Sequence, residues 1–184
     1  MAPKNIIFIK YYKTTIGELI IGCFENQICI LDFRYRKMRT RIDKRIQTGL
    51  NAVYLEKETP LLRAARLQVK AYLNGTRDEF TLPIKMVGTP FQFSVWNALQ
   101  TIPYGTTKSY LELAKQIGNK KSVRAVATAN GANALALIIP CHRVIGSNNK
   151  LVGYAGGLPV KKSLLELELA HYQNPDELPF EATE

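Results

Sequence analysis

Cysteine is scarce in this sequence and long apolar runs are missing, and both facts exclude classes of protein. The three cysteines, Cys23, Cys29 and Cys141, are too few and too scattered for a disulfide framework, and no Cys/His cluster has zinc-ligand spacing. No apolar run reaches the length of about eighteen residues that a membrane helix needs, and the N-terminal stretch does not complete a signal-peptide pattern. We therefore expect a cytoplasmic globular protein with reduced thiols, no metal, no cofactor and no membrane partner.

The whole chain has a formal net charge of +10, and acidic residues are almost missing from one part of it. Between Gly88 and Leu165 there are nine Lys or Arg and one acid, Glu112, whereas six acids and no Lys or Arg follow from Glu166 to the end. A basic field raises the local concentration of a polyanion, and nucleic acid is the leading candidate. A solvated surface that keeps a small protein in solution is the alternative that charge alone leaves open.

The first part of the chain has the pattern of a small antiparallel sheet. Residues 5–12, 17–24 and 27–33 are rich in β-branched and aromatic side chains, with Glu25-Asn26 as a hairpin turn. Cys23 and Cys29 lie in this apolar context, which favours buried hydrophobes over metal ligands. The basic segment from Arg34 to Arg45 has no clear apolar period, so we expect an exposed loop or helix, and its purpose stays open.

A helix is predicted over residues 59–75, because apolar side chains recur at helical spacing between a Thr-Pro start and an Asn-Gly stop. It should cover the sheet. Residues 79–86 are a candidate further strand. Gly88 and Pro90 then interrupt the chain, and we place a domain boundary near Gly88.

The pattern after this boundary is helical. Helices are predicted over residues 89–103, 109–118, 122–131 and 158–172, each with a Ser, Thr or Pro start signal. The second and third of them, joined by a tight turn at 118–121, are a helix-turn-helix candidate, although many αα-hairpins share this spacing. The predicted domains are therefore residues 1–87 and 88–172, followed by a frayed acidic tail at 173–184.

The stretch IIPCHRV, residues 138–144, places a thiol between an apolar run and two basic side chains. A cysteine becomes a strong nucleophile when cations, amide N–H groups or a base stabilise its thiolate. The interpretation as a buried structural cysteine is the alternative. Adjacent side chains rarely point the same way, so we expect a water to relay the proton from Cys141 to His142, with Glu168 as a candidate orienting carboxylate.

Several motifs together resemble the O6-alkylguanine-DNA alkyltransferase family, the methylated-DNA–protein-cysteine methyltransferases. They are GTPFQFSVWNALQTIPYGTTKSYLELAKQIG, VRAVATANGAN, IIPCHRVIG and LVGYAGGL. The match is continuous from about Gly88 to Ala170. The resemblance implies an N-terminal ribonuclease-H-like α/β domain with a small sheet and a helix, and a mainly helical, winged-helix-like C-terminal domain.

The resemblance implies a role for each matching residue of the reactive centre. Cys141 would accept the alkyl group, His142 would be the water-mediated base and Glu168 its orienting carboxylate. Three further matches are a tyrosine that assists guanine departure, a hinge residue that supports the cysteine loop and a lysine near the alkylated base: Tyr110, Asn133 and Lys161.

DNA contacts follow from the same resemblance. Arg124 would enter the duplex and fill the space left by an extruded nucleotide, which offsets part of an unstacking cost of about a few kcal/mol. The further contact residues are Tyr110, Ser122, Ala125 and Ala129. In this family the helix-turn-helix enters the minor groove, where contacts depend little on base sequence.

The pocket for the extruded base would be formed by Pro140, Val152, Gly153, Tyr154 and Ala155. Glycines in this loop suit a wall that a base approaches closely. Some relatives have a hydroxyl residue at the position of Ala155. The implied reaction is one alkyl transfer per molecule, from O6-alkylguanine and from O4-alkylthymine in double-stranded DNA. The resemblance implies a monomer without an obligate protein partner. We expect it in the nucleoid of a bacterium or in the nucleus of a eukaryote.

Two rival functions stay open on the residues alone. A DNA-binding regulator would explain the charge and the helices, and it would prefer one DNA sequence strongly. A thiol hydrolase would need a Cys-His pair, for which only His142 and His171 are available.

Overall fold

The structure is a computed structural model that describes residues 5–171. The strands are β1 (Asn5–Thr14), β2 (Gly17–Phe24), β3 (Gln27–Phe33), β4 (Ala52–Glu56), β5 (Lys108–Ser109) and β6 (Val144–Ile145). The helices are α1 (Arg39–Leu50), α2 (Pro60–Leu73), α3 (Pro90–Gln100), α4 (Tyr110–Gln116), α5 (Val123–Gly131) and α6 (Leu158–His171), with 3-10 turns at Lys120–Ser122 and Cys141–Arg143. The predicted acidic tail, 173–184, lies outside the described residues.

The N-terminal half is a mixed four-stranded sheet in the order β3-β2-β1-β4. The three predicted strands are confirmed, and their turn has positive φ at Glu25 and Asn26, as a two-residue hairpin of type I′ requires. The fourth strand, β4, pairs parallel with β1 and was not predicted, because its five residues show little alternation. The predicted strand at 79–86 is wrong, since this segment makes only a single bridge, from Ile84 to Ile28.

Helices pack on both faces of this sheet. Helix α2 begins at the predicted Thr-Pro signal, where Oγ1 of Thr59 accepts a hydrogen bond from the Leu62 amide at 3.2 Å. Its buried face meets β2, as predicted. The basic segment contains helix α1, whose Ile42 and Ile46 lie one turn apart and pack under the opposite face.

The C-terminal half is helical, and its two capping boxes start helices where the sequence predicts them. Thr89 with Gln92 begins α3, and Ser109 with Glu112 begins α4. Helices α4 and α5 form the helix-turn-helix, with Gly118 at φ 78° in the turn. The fold is therefore α/β, with a small mixed sheet followed by a helical domain.

The two halves share one hydrophobic core. A bridge joins Leu31 of β3 to Leu135, and the indole N–H of Trp96 donates to the Ala129 carbonyl at 2.9 Å inside this core. The chain between α5 and β6 therefore rests against the N-terminal sheet. No helix within residues 5–171 is long and apolar enough to cross a membrane.

Candidate active site

The thiol of Cys141 lies at the start of a 3-10 turn, on the wall of a cavity of about 810 Å³. The residue is only 4% exposed, and its amide donates to the Ile139 carbonyl at 2.7 Å, which holds the turn against the preceding chain. The cavity is also lined by the end of α5, by the loop after β6 and by Tyr35, Arg36, Lys37 and Met38. The last four belong to the N-terminal half and were not predicted to be near the site.

Burial raises the pKa of the Cys141 thiol, whereas the Asn133 amide and the Arg36 charge act in the opposite direction. The thiol is therefore protonated at neutral pH in the free protein. It needs a base before it can act as a nucleophile.

His142 is fully buried and hydrogen-bonded on one side of its ring. Its Nε2 lies 2.6 Å from Oε1 of Glu168 and 3.2 Å from the Tyr72 hydroxyl. Burial lowers the pKa of His142, so the imidazole is neutral. Because the carboxylate can only accept, we assign the proton to Nε2, which leaves a lone pair on Nδ1. Nδ1 is buried and makes no hydrogen bond within the described part of the chain.

Glu168 is held by four donor residues, which come from three parts of the chain. Burial favours its neutral form, but His142 and Arg143 outweigh this and lower its pKa to about 2. The donors are Nε2 of His142, the Arg143 guanidinium, the Gly105 amide and the Tyr72 hydroxyl. The carboxylate is therefore ionised and can stabilise positive charge on His142.

Arg143 lies two positions after Cys141 but is directed away from the cavity. Its Nε donates to Glu168 at 2.9 Å and its Nη1 to the Ile102 carbonyl at 2.7 Å, so its charge is neutralised in the core. Tyr72 was missed altogether. By its spacing it is one more core position of α2, and only the tertiary structure brings its hydroxyl to Glu168 of α6.

Two asparagines support the cysteine turn. The Asn133 side chain donates to the Ile139 carbonyl and accepts from the Leu135 amide, both at 2.9 Å. The Asn130 side chain donates to the Tyr110 hydroxyl at 3.3 Å and meets the Cys141 carbonyl at 3.5 Å. Asn133 was predicted as a hinge, whereas Asn130 was not singled out.

Tyr110 stands at the first turn of α4 and lines the same cavity as Cys141. Burial and the neighbouring thiol raise its pKa to about 12. Its hydroxyl therefore stays protonated at neutral pH and can donate a proton.

Lys161 is completely buried, and none of the carboxylates between residues 5 and 171 forms an ion pair with it. Its Nζ donates to the carbonyls of Val144 at 2.5 Å and Val152 at 2.7 Å, and reaches Gly153 at 3.4 Å. Burial lowers its pKa to about 8. The structure thus places Lys161 behind the wall of the cavity, where it ties the loop after β6 to the cysteine turn.

The loop after β6 forms the wall opposite α5. Of the residues predicted to form the base pocket, Val152, Gly153, Tyr154 and Ala155 line this cavity, whereas Pro140 is buried and does not. The Tyr154 ring packs edge-on against Phe33, with ring centroids 5.6 Å apart. An added Cβ at Gly156 would lie 2.6 Å from Phe33, so this loop can only pack here with glycine.

The predicted DNA contacts on α5 do not all reach the surface. Arg124 and Ala125 are exposed, and Ser122 is half-buried beside them. Ala129 is 3% exposed, because it packs beneath Trp96. It lies one turn after Ala125 on the same side of α5, and its burial shows that this end of the helix is covered by the core.

Comparisons with known proteins cover nearly the whole described chain. The family model described as the DNA binding domain of 6-O-methylguanine DNA methyltransferase matches residues 90–170, and the model of the ribonuclease-like domain of the same family matches residues 7–86. The methylated-DNA–protein-cysteine methyltransferase of Methanosarcina acetivorans is 40% identical over 162 residues, which are 88% of this chain and 98% of the relative. The constitutive enzyme of that name from Bacillus subtilis is 42% identical over 169 residues, 90% and 99% of the two chains.

Solved structures agree with this result. The crystal structure of Mycobacterium tuberculosis OGT in complex with DNA matches with a TM-score of 0.76 and 38% identity, and the match covers 89% of this chain and 94% of that one. An O6-methylguanine-DNA methyltransferase from Pyrococcus kodakaraensis, 23% identical with a TM-score of 0.67, has the same fold.

Proposed function

The chain belongs to the 6-O-methylguanine DNA methyltransferase family, and we propose that Cys141 is the residue that takes up the alkyl group. Its activity is that of a methylated-DNA–protein-cysteine methyltransferase, which repairs DNA by direct reversal. The observation that carries the assignment of Cys141 is its position on the cavity wall, next to a neutral histidine whose far nitrogen is bound to an ionised carboxylate.

The proton of the thiol leaves through His142. A bridging water passes it from Cys141 to the free lone pair of Nδ1, and Glu168 stabilises the imidazolium that results. Arg143, Tyr72 and Gly105 keep this carboxylate ionised and oriented. By accepting from Nε2, Glu168 also fixes the tautomer of His142, which would otherwise be free to present an N–H to the water.

The thiolate then attacks the alkyl carbon. A bond from Sγ to carbon forms, the bond from carbon to O6 breaks, and its electron pair stays with the guanine. Tyr110 supplies the proton that the departing guanine needs and later recovers one from solvent, while His142 releases its own. Because a thioether is a poor leaving group, each molecule acts once and uses no cofactor.

Alkylated bases in double-stranded DNA are the proposed substrates, O6-alkylguanine first and O4-alkylthymine with it. A base inside the duplex cannot reach a buried thiol, so the nucleotide leaves the stack and enters the cavity between α5 and the loop at 152–157. The exposed Arg124 fills the gap in the duplex, with Ser122 and Ala125 against the backbone. Ala129 supports α5 from within.

Family membership and the contacts described above also support proposals for the oligomeric state, the domains, the location and two supporting residues. The protein acts as a monomer without an obligate partner, with domains at 1–87 and 88–172, and it works where DNA is found, in the cytoplasm and nucleoid of a bacterium or in a nucleus. Pro140 acts by fixing the backbone before Cys141, and Lys161 by holding the loop of the base pocket.

The test is to incubate the purified protein with duplex DNA that contains O6-methylguanine and to weigh its peptides. We expect one methyl group on the Cys141 peptide and repair that stops at one equivalent. Cys141→Ser should abolish transfer while binding to the alkylated duplex survives. A methyl group on another peptide, or binding without any transfer, would overturn the assignment of Cys141.

A further inference from the structure

Two arginines of the basic segment, Arg36 and Arg45, reach across the molecule to the end of helix α5. Arg36 donates from Nη1 to the Asn133 carbonyl at 3.0 Å and from Nη2 to the Gly131 carbonyl. Arg45 donates from Nη2 to the Ala132 carbonyl at 2.8 Å. Three successive carbonyls at the C-terminal end of this helix, where unpaired acceptors and the negative end of the helix dipole lie, are therefore bound by cations from the N-terminal half.

The guanidinium of Arg36 is itself held in place. Its Nη1 contacts both carboxylate oxygens of Asp32, at 3.0 and 2.9 Å, and its side chain is only 5% exposed. Asp32 is fully buried at the end of β3 and also accepts from Arg39 at 2.8 Å. A buried pair of this kind contributes little net stability, but it fixes direction, because a guanidinium is planar and its donors have a rigid geometry.

Arg45 is positioned differently. Its guanidinium carbon lies 5.3 Å from the centre of the Trp96 ring, and Trp96 in turn donates to Ala129 on α5. No carboxylate within residues 5–171 forms an ion pair with Arg45. Its described contacts therefore point to the end of α5 and to the side chain that packs under this helix.

The bound carbonyls lead directly to the reactive thiol. Asn133 carries the last of these carbonyls, and its side chain holds Ile139 and Leu135 on the way to Cys141. A shift of the end of α5 would therefore be carried to the cysteine turn. Arg36 also lines the cavity, and its charge is one of the influences that lower the pKa of the thiol.

We propose that Arg36 and Arg45 are positioning residues, which lock the end of the DNA-binding helix α5 to the N-terminal sheet and so keep Asn133 and Cys141 in place relative to DNA bound on that helix. Neither arginine needs to touch the alkyl group. The inference rests on the proposed function for its DNA step, and it assigns a purpose to the basic segment that charge alone left open.

The test compares Arg36→Lys with Arg39→Lys. Both variants keep the charge and both disturb the contacts of Asp32, but only Arg36 contacts the carbonyls of α5, so Arg39→Lys is the matched control. In single-turnover reactions with methylated duplex, we expect Arg36→Lys to be slower than the control by about tenfold, because small misplacements of reacting groups cost that much or more. Affinity for unmodified duplex should stay within about twofold, since the exposed face of α5 is unchanged.

A second readout does not depend on DNA. Iodoacetamide labelling of the Cys141 peptide over a pH series should show a midpoint at higher pH for Arg36→Lys than for the control, because the Asn133 amide lowers the pKa of this thiol. Arg45→Gln, which leaves no paired carboxylate behind, should move the midpoint in the same direction. Equal rates and equal midpoints for Arg36→Lys and Arg39→Lys would overturn the inference. If the wild type took no methyl group from DNA, the proposed function would fail. The labelling series would still test whether Arg36 and Arg45 position Cys141.

Discussion

Nε2 of His142 lies 2.6 Å from Oε1 of Glu168, and both side chains are fully buried. The two residues stand 26 positions apart, on the cysteine turn and on the last helix. A neutral imidazole beside an ionised carboxylate is a base that is ready to accept a proton and is protected from solvent. This pair is the source of the acid sensitivity that we expect.

The protein should lose stability as the pH falls through the range in which Glu168 titrates. Its pKa is lowered from 4.5 to about 2, so the contribution is present above about pH 4.5 and is lost as the pH falls towards 2. A shift of this size corresponds to about 3 kcal/mol. His142, whose pKa is also lowered, adds to the loss because the unfolded chain takes up a proton on it below about pH 6.5.

Urea unfolding between pH 7 and pH 3 measures this dependence. Glu168→Gln is the comparison, since glutamine does not titrate and the variant should show a flatter curve below pH 4.5. Parallel curves for the two proteins would show that other carboxylates cause the acid loss.

Tyr72→Phe should lower stability and the rate of transfer together, both modestly. It removes one donor to Glu168, but His142, Arg143 and Gly105 still hold the carboxylate. We expect a loss of about 1 kcal/mol in the free energy of unfolding. The urea midpoint and single-turnover kinetics measure the two effects. Tyr104→Phe is the control, because it removes a hydroxyl group from the ring that packs on Tyr72 without removing a donor to Glu168. An unchanged rate would mean that Tyr72 only stabilises the fold.

Tyr110→Phe should slow transfer by about a hundredfold, because proton donation by a positioned side chain contributes about that much. The ring remains in the cavity and can still contact DNA, so binding to unmodified duplex should change far less than the rate. Single-turnover rates from methylated duplex test this. Asn130→Ala, which removes the donor that holds the Tyr110 hydroxyl, should cost less. A Tyr110→Phe protein with the rate of the wild type would remove Tyr110 from the mechanism.

Arg124→Ala should impair repair of duplex DNA more than repair of single strands. If the side chain fills the space of the extruded nucleotide, its loss matters only where a stack has to be opened, at a cost of about a few kcal/mol. The ratio of transfer rates from duplex and from single-stranded oligonucleotide measures this. Lys162→Ala is a surface control, since Lys162 forms an exposed pair with Glu166 on the last helix. An equal loss on both substrates would indicate a phosphate contact instead.

Lys161→Met should loosen the loop of the base pocket. The substitution keeps most of the side-chain volume and removes the donor to Val144 and Val152, which leaves the buried Val144 carbonyl and the half-buried Val152 carbonyl without this partner. We expect a loss of about 1–3 kcal/mol in the free energy of unfolding. Hydrogen exchange of the amides at 152–157 should quicken, while exchange in the N-terminal sheet should not. Uniform quickening throughout the chain would show a global effect only.

Local sequence patterns were sufficient to predict most helix starts and the hairpin turn. The Thr-Pro start of α2, the capping boxes of α3 and α4 and the hairpin at Glu25-Asn26 all lie where short-range signals predict them. These signals work because a cap or a tight turn is satisfied within about four residues. Strand β4 escaped prediction because its stability comes from pairing with β1, whose partner residues lie 47 positions earlier in the chain.

The PCHRV motif and the residues that match the family predict a nucleophile, its base and the orienting Glu168 from the amino-acid order alone. What the chain order could not reveal is which groups converge in space. Arg143 turns from the thiol to Glu168, Tyr72 joins the same carboxylate, and Arg36 and Arg45 reach the end of α5. The reason is that a buried charged group is stable only when it is paired or hydrogen-bonded, and folding alone decides which groups lie near it. Arg36 and its acceptor Asn133, for example, are 97 positions apart in the chain.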